Sequence, residues 1–296
     1  MILVVGATGL LGSEICRRLR ERGRDVRALV RAGSPRESAL RAMGVQIATG
    51  DLRNRGSLVA ACRDVDAVIS TATAMGSKDR TLSLNEIDRK GQLRLVDIAR
   101  LSGVSTFVYL SLSPNLGPRA PLVRYKREVE RAVRLSGMRW TILQPTAYME
   151  VWLGPQLGWN HTTGRAVVFG SGKHPVSWIS VGDVAEHAVR ALDDPRLANV
   201  DLPLGGPQAL TPQEVVRVFA QESGRRYSIT HIPRILPSLF APLVELFHEQ
   251  VASGMSMGAQ TSRGDPIDSP LQRELELPLT TVREYAARVV RRPNTT

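Results

Sequence analysis

The chain begins with a short apolar run, a glycine-rich turn and a helical pattern, in that order. The run is Ile2–Val5, and the turn that follows repeats glycine at every third position. Such glycines permit a tight turn, leave room for a phosphate group against bare backbone and let the helix approach the sheet. The unpaired N–H groups at a helix start also favour an anion. A tight turn without a ligand is the alternative. The predicted dinucleotide diphosphate site consists of Gly6, Thr8, Gly9, Leu10, Leu11 and Gly12.

Strand-like and helix-like segments alternate along the first half of the chain. The helical segments place apolar residues three and four positions apart, as one buried helix face requires. Alternation of this kind is typical of parallel strands joined by helical crossovers. The predicted strands are Ile2–Val5, Asp25–Arg31, Val45–Thr49, Ala67–Ser70, Thr106–Ser111 and Trp140–Leu143.

This pattern predicts an α/β fold with a doubly wound parallel sheet, a Rossmann fold, over residues 1–150. Glycine and proline interrupt the pattern after residue 150. We therefore expect a smaller carboxy-terminal substrate lobe over residues 151–296, some segments of which return to the sheet. Val176–Ser180 and Asp183–Leu192 are its predicted strand and helix, and Thr211-Pro212 predicts a capped helix start.

The residue that ends the second predicted strand distinguishes the two common dinucleotides. Folds of this kind that bind NAD place an acidic residue there, which holds the ribose 2′-hydroxyl. This strand ends instead at Arg31, with Ser34 close behind it. An arginine forms charge-assisted hydrogen bonds with a 2′-phosphate. The sequence therefore favours NADP(H) over NAD(H), with an ordinary surface arginine as the alternative.

Charge and cysteine content limit the partners and the compartment. The net charge is +11, but 35 of the 39 basic residues are arginines, spread along the helical segments rather than gathered in one run. This distribution does not favour nucleic acid as the main partner. No apolar stretch of about 18 residues predicts a membrane span, and no secretory pattern follows Met1. Two cysteines give neither a disulfide framework nor a metal site, so we expect a cytoplasmic protein without a metal.

The glycine turn and several later motifs resemble those of the atypical short-chain dehydrogenases/reductases, and most closely those of the NmrA-like NAD(P)-binding family. The later motifs are Gly50-Asp51-Leu52, Ile69-Ser70-Thr71-Ala72, Ser136–Leu143, Val181–Ala185 and Gly205-Gly206-Pro207. The resemblance implies that the turn after the third strand packs on the adenine and that the turn after the fourth lies along the dinucleotide. The further cofactor-binding residues that it implies are Asp51, Leu52, Ser70, Thr71, Ala72, Lys126 and Pro145.

The catalytic pair of the superfamily is incomplete in this chain. Most short-chain dehydrogenases use Tyr-x-x-x-Lys, in which the lysine lowers the tyrosine pKa and the tyrosine donates a proton. Lys126 stands where the family lysine belongs, but the tyrosine position holds Leu122. The resemblance implies Ser111 and Tyr148 as polar residues that assist Lys126, with a strand-end hydrogen bond and simple packing as their alternatives. Gln144 replaces the arginine that many relatives carry before the proline.

The resemblance implies an NAD(P)H-dependent reductase that acts on a small, largely apolar carbonyl, enone or quinone-like compound. The alternative is a non-catalytic regulator or assembly factor, because NmrA itself and some relatives only bind the dinucleotide. An isomerase or lyase that uses the dinucleotide transiently is a third option. The apolar segment Ile235–Met257 fits a lid over an apolar substrate, buried packing or a contact between two copies of the chain.

Overall fold

The computed structural model describes residues 1–77, 79 and 81–291, without side chains for 236–238. Its strands are β1 (Ile2–Val5), β2 (Val26–Val30), β3 (Gln46–Thr49), β4 (Ala67–Ser70), β5 (Thr106–Leu110), β6 (Arg139–Pro145), β7 (Arg165–Phe169), β8 (Val176–Ser177), β9 (Val200–Leu204), β10 (Ala209–Leu210) and β11 (Ser228–Ile232). Its helices are α1 (Leu10–Glu21), α2 (Glu37–Ala42), α3 (Arg55–Ala61), α4 (Gln92–Leu101), α5 (Pro121–Arg134), α6 (Met149–Trp152), α7 (Val181–Arg190), α8 (Pro212–Ser223), α9 (Ile235–Glu245), α10 (Glu249–Thr261), α11 (Pro270–Glu274) and α12 (Val282–Arg291). A π-helical segment, Asn85–Gly91, leads directly into α4.

The main sheet has seven strands in the order β3-β2-β1-β4-β5-β6-β9. The pairings from β3 through to β6 are all parallel. The chain runs outward from β1 to β3, returns past β1 to β4 and then continues to β6, so the strand order reverses between β1 and β4. Ligands of open α/β sheets bind at such a reversal, beyond the carboxyl ends of the strands. The predicted doubly wound Rossmann fold is confirmed.

Burial explains why these short segments become strands. Every residue of β1 and of β4 is buried, as expected for central strands covered by helices on both faces. All six predicted strands form within a residue or two of their predicted ends, and β9 is an addition that the sequence pattern did not predict. The helix that follows β4 begins as the π-helical segment and continues as α4.

The chain divides into two compact units whose segments interleave. The first unit contains Met1–Leu112, Pro121–Gln144 and Val184–Leu202. The second contains Ser113–Ala120, Pro145–Asp183 and the chain from Pro203 onward. The main sheet therefore draws most of its strands from the first unit. A separate substrate lobe beginning at residue 151 stays a prediction.

The second unit is built around an aromatic core. Trp159, Phe219 and Tyr285 are buried there, and the ring centroids of Trp159 and Phe219 are 5.4 Å apart. The predicted strand Val176–Ser180 is only the two-residue β8, which pairs with β10, while β7 pairs with β11. The predicted start of α8 at Thr211 is confirmed, because Thr211 and Glu214 form a reciprocal capping box.

The apolar segment Ile235–Met257 forms α9 and most of α10. Met257 is buried, but several large apolar side chains of the segment are exposed. These exposed side chains are Ile235, Leu239, Phe240, Leu243, Leu246, Phe247 and Val251. The described part of the chain does not bury them, so a lid and a contact between copies stay predictions for this surface. Across the residues that the structure describes, no helix combines the length and apolarity that crossing a bilayer needs.

Candidate nucleotide-binding and catalytic site

The glycine turn lies at the carboxyl end of β1, where the strand order reverses. Gly6 has a φ of +90°, and a Cβ atom added there would lie 2.6 Å from the backbone nitrogen of Ala72. A Cβ atom on Gly12 would lie 2.2 Å from the carbonyl oxygen of Gly6. Neither distance is compatible with a side chain, so the close approach of β1, α1 and the loop after β4 requires glycine at both positions. The turn is closed by the Gly9 N–H, which donates to the Gly6 carbonyl over 2.9 Å.

The start of α1 is open to an anion. Gly9 is the N-cap and supplies no side chain, and the first turn of α1 contains no acidic residue. The first N–H groups of a helix have no acceptor within the helix. Those of Leu10, Leu11 and Gly12 are therefore the donors that a diphosphate needs, and Leu10 is half exposed. The cradle fits the predicted dinucleotide.

The loop after β4 is held by hydrogen bonds to neighbouring elements. The Ser70 hydroxyl donates to the Gln92 side-chain carbonyl over 2.7 Å, and the Gln92 amide donates to the Ala72 carbonyl over 2.9 Å. The Thr71 hydroxyl donates to the Val5 carbonyl over 3.2 Å. Ser70 is fully buried, and its hydroxyl shapes the loop through the bond to Gln92. The contact of Ser70 with the cofactor stays a prediction.

Gln92 is a buried polar residue behind the loop after β4, and no motif indicates it. Its signal in the sequence is a polar residue on the otherwise apolar face of a helix, and the structure buries it completely. A buried amide has to be hydrogen-bonded, and Gln92 meets this requirement by joining Ser70 to Ala72.

The turn after β3 is fixed by its own residues. The Asp51 carboxylate accepts hydrogen bonds from the Arg53 backbone at 2.8 Å and from the Arg53 guanidinium at 2.9 Å. These bonds hold the pKa of Asp51 below its ordinary value. Leu52 is buried. The adenine contacts implied for Asp51 and Leu52 stay predictions.

Two guanidinium groups lie in or just after the loop that follows β2. Arg31 is half exposed and donates to the Asp79 carboxylate over 3.0 Å. The Ser34 N–H donates to the Arg31 carbonyl over 3.2 Å, which closes the turn between them. Arg36 donates to the Thr8 carbonyl of the glycine turn over 2.7 Å. Arg36 is thus a second candidate for a 2′-phosphate, and its signal is a further arginine in the same segment.

Lys126 faces the interior of the first unit. Its ammonium group donates to the carbonyl of Leu110, the last residue of β5, over 2.9 Å. It also lies 5.0 Å from the centre of the Tyr109 ring. Burial lowers the pKa of Lys126, and the negative charges of Asp88 and Glu130 partly oppose that change. Leu122, one turn earlier, is buried in the core. The lysine is therefore placed at the carboxyl edge of the sheet without the tyrosine that usually accompanies it.

Ser111 belongs to a buried network around Glu130. The Ser111 hydroxyl and the Arg127 guanidinium each donate to the Glu130 carboxylate over 2.5 Å. The Gln144 amide donates to the same carboxylate over 3.1 Å. Although burial acts against the charged carboxylate, the bond from Ser111 and the charge of Arg127 lower the pKa of Glu130.

This network involves two features of the sequence. The Ser111 hydroxyl donates to Glu130, and a role of Ser111 toward a substrate stays a prediction. Gln144, at the position where the resemblance implies an arginine, donates its side-chain amide to Glu130. The sequence signal for Glu130 is a charged residue four positions after Lys126, on the apolar face of α5.

Tyr148 is the N-cap residue of α6, within the second unit. Its phenol oxygen is buried and finds no hydrogen-bond partner among the residues that the structure describes. Burial raises the pKa of Tyr148 far above its ordinary value. A proton-donor role for Tyr148 stays a prediction. Pro145 is buried at the end of β6, and its contact with the cofactor also stays a prediction.

Comparisons with known proteins agree with this geometry. The family model of the NmrA-like family matches residues 1–286. The chain is 36% identical over 228 residues to an NAD(P)H azoreductase from Xenophilus azovorans, covering 76% of this chain and 74% of that protein. It is 30% identical over 234 residues to photosystem II assembly factor Ycf39 from Synechocystis sp. The match covers 78% of this chain and 70% of that protein.

The fold also has solved counterparts. The structure of an NADPH-dependent quinone oxidoreductase from Escherichia coli, complexed with NADPH, superposes with a TM-score of 0.77 at 20% identity. The superposition covers 98% of this chain and 99% of the other. At that identity the likeness shows that the two proteins share a fold.

Proposed function

Because the chain belongs to the NmrA-like family, we propose that it is an NADPH-dependent reductase of a small, largely apolar carbonyl, enone or quinone-like compound. The observation that carries the proposal is the edge of the main sheet. An uncapped helix start follows β1 there, and Lys126 binds the last carbonyl of β5 at the same edge. The relatives named as reductases, one acting on azo compounds, support an enzyme.

Different residues bind different parts of the cofactor. The N–H groups at the start of α1 bind the diphosphate, and Arg31 and Arg36 bind the 2′-phosphate. The loop fixed by Gln92 lies along the dinucleotide. When bound, the reduced nicotinamide supplies the hydride that the substrate accepts.

The remaining chemistry concerns a proton and a negative charge. Leu122 cannot donate a proton, and the Ser111 hydroxyl already donates to Glu130. We infer that Lys126 orients the ribose and places a positive charge near the oxygen that becomes negative during reduction. The proton then reaches that oxygen from water or from a polar group that Lys126 supports.

A dinucleotide-binding regulator is the second candidate. Two observations favour it: the tyrosine position of the catalytic pair holds Leu122, and one relative is an assembly factor, Ycf39. A cytoplasmic location and a homo-oligomer are further proposals. Cys16 and Cys62 are free and buried, and burial raises the pKa of Cys62 to about 11. Unreactive free thiols of this kind suit a reducing compartment.

The two candidates are separated by binding and turnover. Fluorescence titration with NADPH and with NADH measures affinity and preference, and NADPH oxidation is then followed with quinones, enones, aldehydes and azo compounds. The reductase proposal predicts tighter binding of NADPH and oxidation with at least one compound. Tight binding without oxidation by any compound would favour the regulator.

Asp79 is expected to weaken the binding of NADPH. Its carboxylate pairs with Arg31, and its negative charge would repel a 2′-phosphate. Replacing Asp79 by asparagine should lower the NADPH dissociation constant about two- to five-fold, the range of one exposed ion pair. The affinity of Asp79→Asn for NADH should stay the same. Arg31→Ala should weaken the binding of NADPH but not that of NADH.

The control for this prediction is Asp97→Asn. Asp97 is also an exposed aspartate paired with an arginine, Arg100, but it lies on α4. It should leave both affinities unchanged. An equal gain for NADH and NADPH in Asp79→Asn would show that the carboxylate does not act on the 2′-phosphate.

A further inference from the structure

The second unit contains a pocket whose walls are largely aromatic. It lies among α6, β7, β8 and α10, and Trp152, Trp159, Phe169 and Trp178 form much of its lining. The pocket encloses about 390 Å³, including the space at its open mouth. Ligand pockets begin at about 300 Å³, so this one has room for a single ring system rather than for an extended molecule.

The two buried indoles of the pocket have no donor left for a ligand. Trp159 and Trp178 each donate their ring N–H to a backbone carbonyl, over 3.1 Å and 2.9 Å. Trp152 and Phe169 are only partly buried, and their ring centroids are 6.1 Å apart in an edge-to-face arrangement. Aromatic rings in such arrangements attract each other by more than their buried area explains. The walls therefore favour an occupant that is itself an aromatic ring.

One polar side chain of the lining has no partner. Thr261 of α10 is 6% exposed, and among the residues that the structure describes its hydroxyl makes no hydrogen bond. The hydroxyl of the neighbouring Ser262 is already bonded to the Ala259 carbonyl over 2.8 Å. Polar groups of buried residues normally have a hydrogen-bond partner, and a threonine hydroxyl can donate to a carbonyl oxygen. Thr261 is therefore the group of this pocket that can bind a polar atom of a ligand.

We propose that this pocket binds an aromatic ring that carries a carbonyl oxygen, with the ring against Trp152 and Phe169 and the oxygen bonded to Thr261. The inference rests on the proposed function in so far as this ring belongs to the compound that is reduced. It narrows the substrate from a small apolar carbonyl compound to an aryl ketone or a quinone. An aliphatic ketone lacks the ring contacts, and an aromatic hydrocarbon lacks the bond to Thr261.

Three compounds of similar size separate these two contributions. They are acetophenone, cyclohexyl methyl ketone, which has no aromatic ring, and ethylbenzene, which has no oxygen. The full chain is titrated with each compound in the absence of NADPH, and ligand-observed NMR gives the dissociation constants. Acetophenone should bind about two- to ten-fold more tightly than either of the others, the factor that one aromatic contact or one hydrogen bond supplies. Equal dissociation constants for the three compounds would overturn the proposal.

Thr261→Val removes the hydroxyl and keeps the branched shape of the side chain. The affinity for acetophenone should fall to that for ethylbenzene, and the affinity for ethylbenzene should not change. Because the hydroxyl has no partner among the described residues, the thermal midpoint of the variant should not fall. Wild-type affinity for acetophenone, or a lower midpoint, would overturn the assignment of this hydroxyl to a ligand.

The matched control is Thr230→Val. Thr230 is an exposed residue of β11 and does not line the pocket. The same chemical change at this position should leave the affinities for all three compounds at their wild-type values. A loss of acetophenone binding as large as that in Thr261→Val would mean that binding does not depend on the pocket.

Trp152→Leu tests the aromatic wall. Leucine keeps an apolar side chain at this partly buried position but removes the ring. Acetophenone and cyclohexyl methyl ketone should then bind with similar affinities. An undiminished preference for the aromatic ketone would contradict the placement of the ring against Trp152.

The pocket and the proposed reaction can fail separately, because the titrations need neither cofactor nor turnover. If the pocket binds acetophenone as described but no compound oxidises NADPH, the site stands and the reductase proposal falls. If an aryl ketone or a quinone is reduced, Thr261→Val should raise the KM for that compound about two- to ten-fold and leave the KM for NADPH unchanged. An unchanged KM for the reduced compound would overturn the assignment of this pocket to the substrate.

Discussion

Lys126→Met is expected to reduce kcat/KM for NADPH-dependent turnover by about 100-fold or more, the contribution of one group that stabilises a developing negative charge on oxygen. Methionine is similar in length and suits the buried site beside the Tyr109 ring, but it carries no charge and cannot donate to the Leu110 carbonyl. Steady-state kinetics with the substrate found in the turnover screen measure the effect. Circular dichroism checks that the variant is folded.

Lys90→Met is the matched control for this variant. Lys90 pairs with Glu86 at a half-exposed position, so its loss should leave kcat/KM at the wild-type value. Full activity of Lys126→Met would show that the lysine takes no part in the reaction. Loss of turnover together with unchanged NADPH binding would show that the lysine acts in the chemical step.

Gly9→Asp is expected to abolish NADPH binding, with a loss of affinity of at least about 100-fold, without lowering stability. Gly9 is the N-cap of α1 and has an extended backbone, with φ −78° and ψ 171°, which any residue adopts. An aspartate there caps the helix and should hold or raise stability by a few tenths of a kcal/mol. Its carboxylate would occupy the position of the diphosphate and repel it. Fluorescence titration and thermal unfolding measure the two effects.

Gly9→Ala separates charge from volume at the same position. An added Cβ atom would lie 3.2 Å from the Gly6 carbonyl oxygen, so alanine requires only a small adjustment. We expect Gly9→Ala to bind NADPH more weakly than the wild type but far better than Gly9→Asp. Undiminished binding by Gly9→Asp would place the diphosphate elsewhere.

The sheet was predictable because its signals are local. Ile2–Val5 is apolar throughout, since a central parallel strand is buried on both faces. The glycine spacing after it follows from contacts that the structure shows at Gly6 and Gly12. Such features depend on residues close in sequence or on one fixed motif, and the sequence records them directly.

The network behind the site was less predictable because it depends on tertiary contacts. Asp88, Gln92 and Glu130 look like ordinary polar residues of helices until the sheet buries them. Ser70 differs from these residues, because its place in a family motif suggested a ligand contact. In the structure it is buried, and its hydroxyl donates to Gln92. A single sequence does not specify which polar side chains face each other across elements.

The second unit was the part of the fold that local sequence patterns predicted least well. Its β7 pairs in parallel with β11, a strand more than fifty residues later, and such non-local pairing leaves no nearby pattern. The side chains of α9 show that an apolar run predicts a buried segment only when a partner covers it. The capped start of α8 was predictable, because its signal lies within four residues.

The most direct test of the account is hydride transfer. The protein is incubated with NADPH that carries deuterium at the transferable nicotinamide position and with the enones and aldehydes of the turnover screen, and the products are analysed by mass spectrometry. The account predicts a reduced product that contains one deuterium atom, formed at least about 100-fold more slowly by Lys126→Met. NADPH that binds tightly but is consumed by no compound, or a reduced product without deuterium, would contradict it.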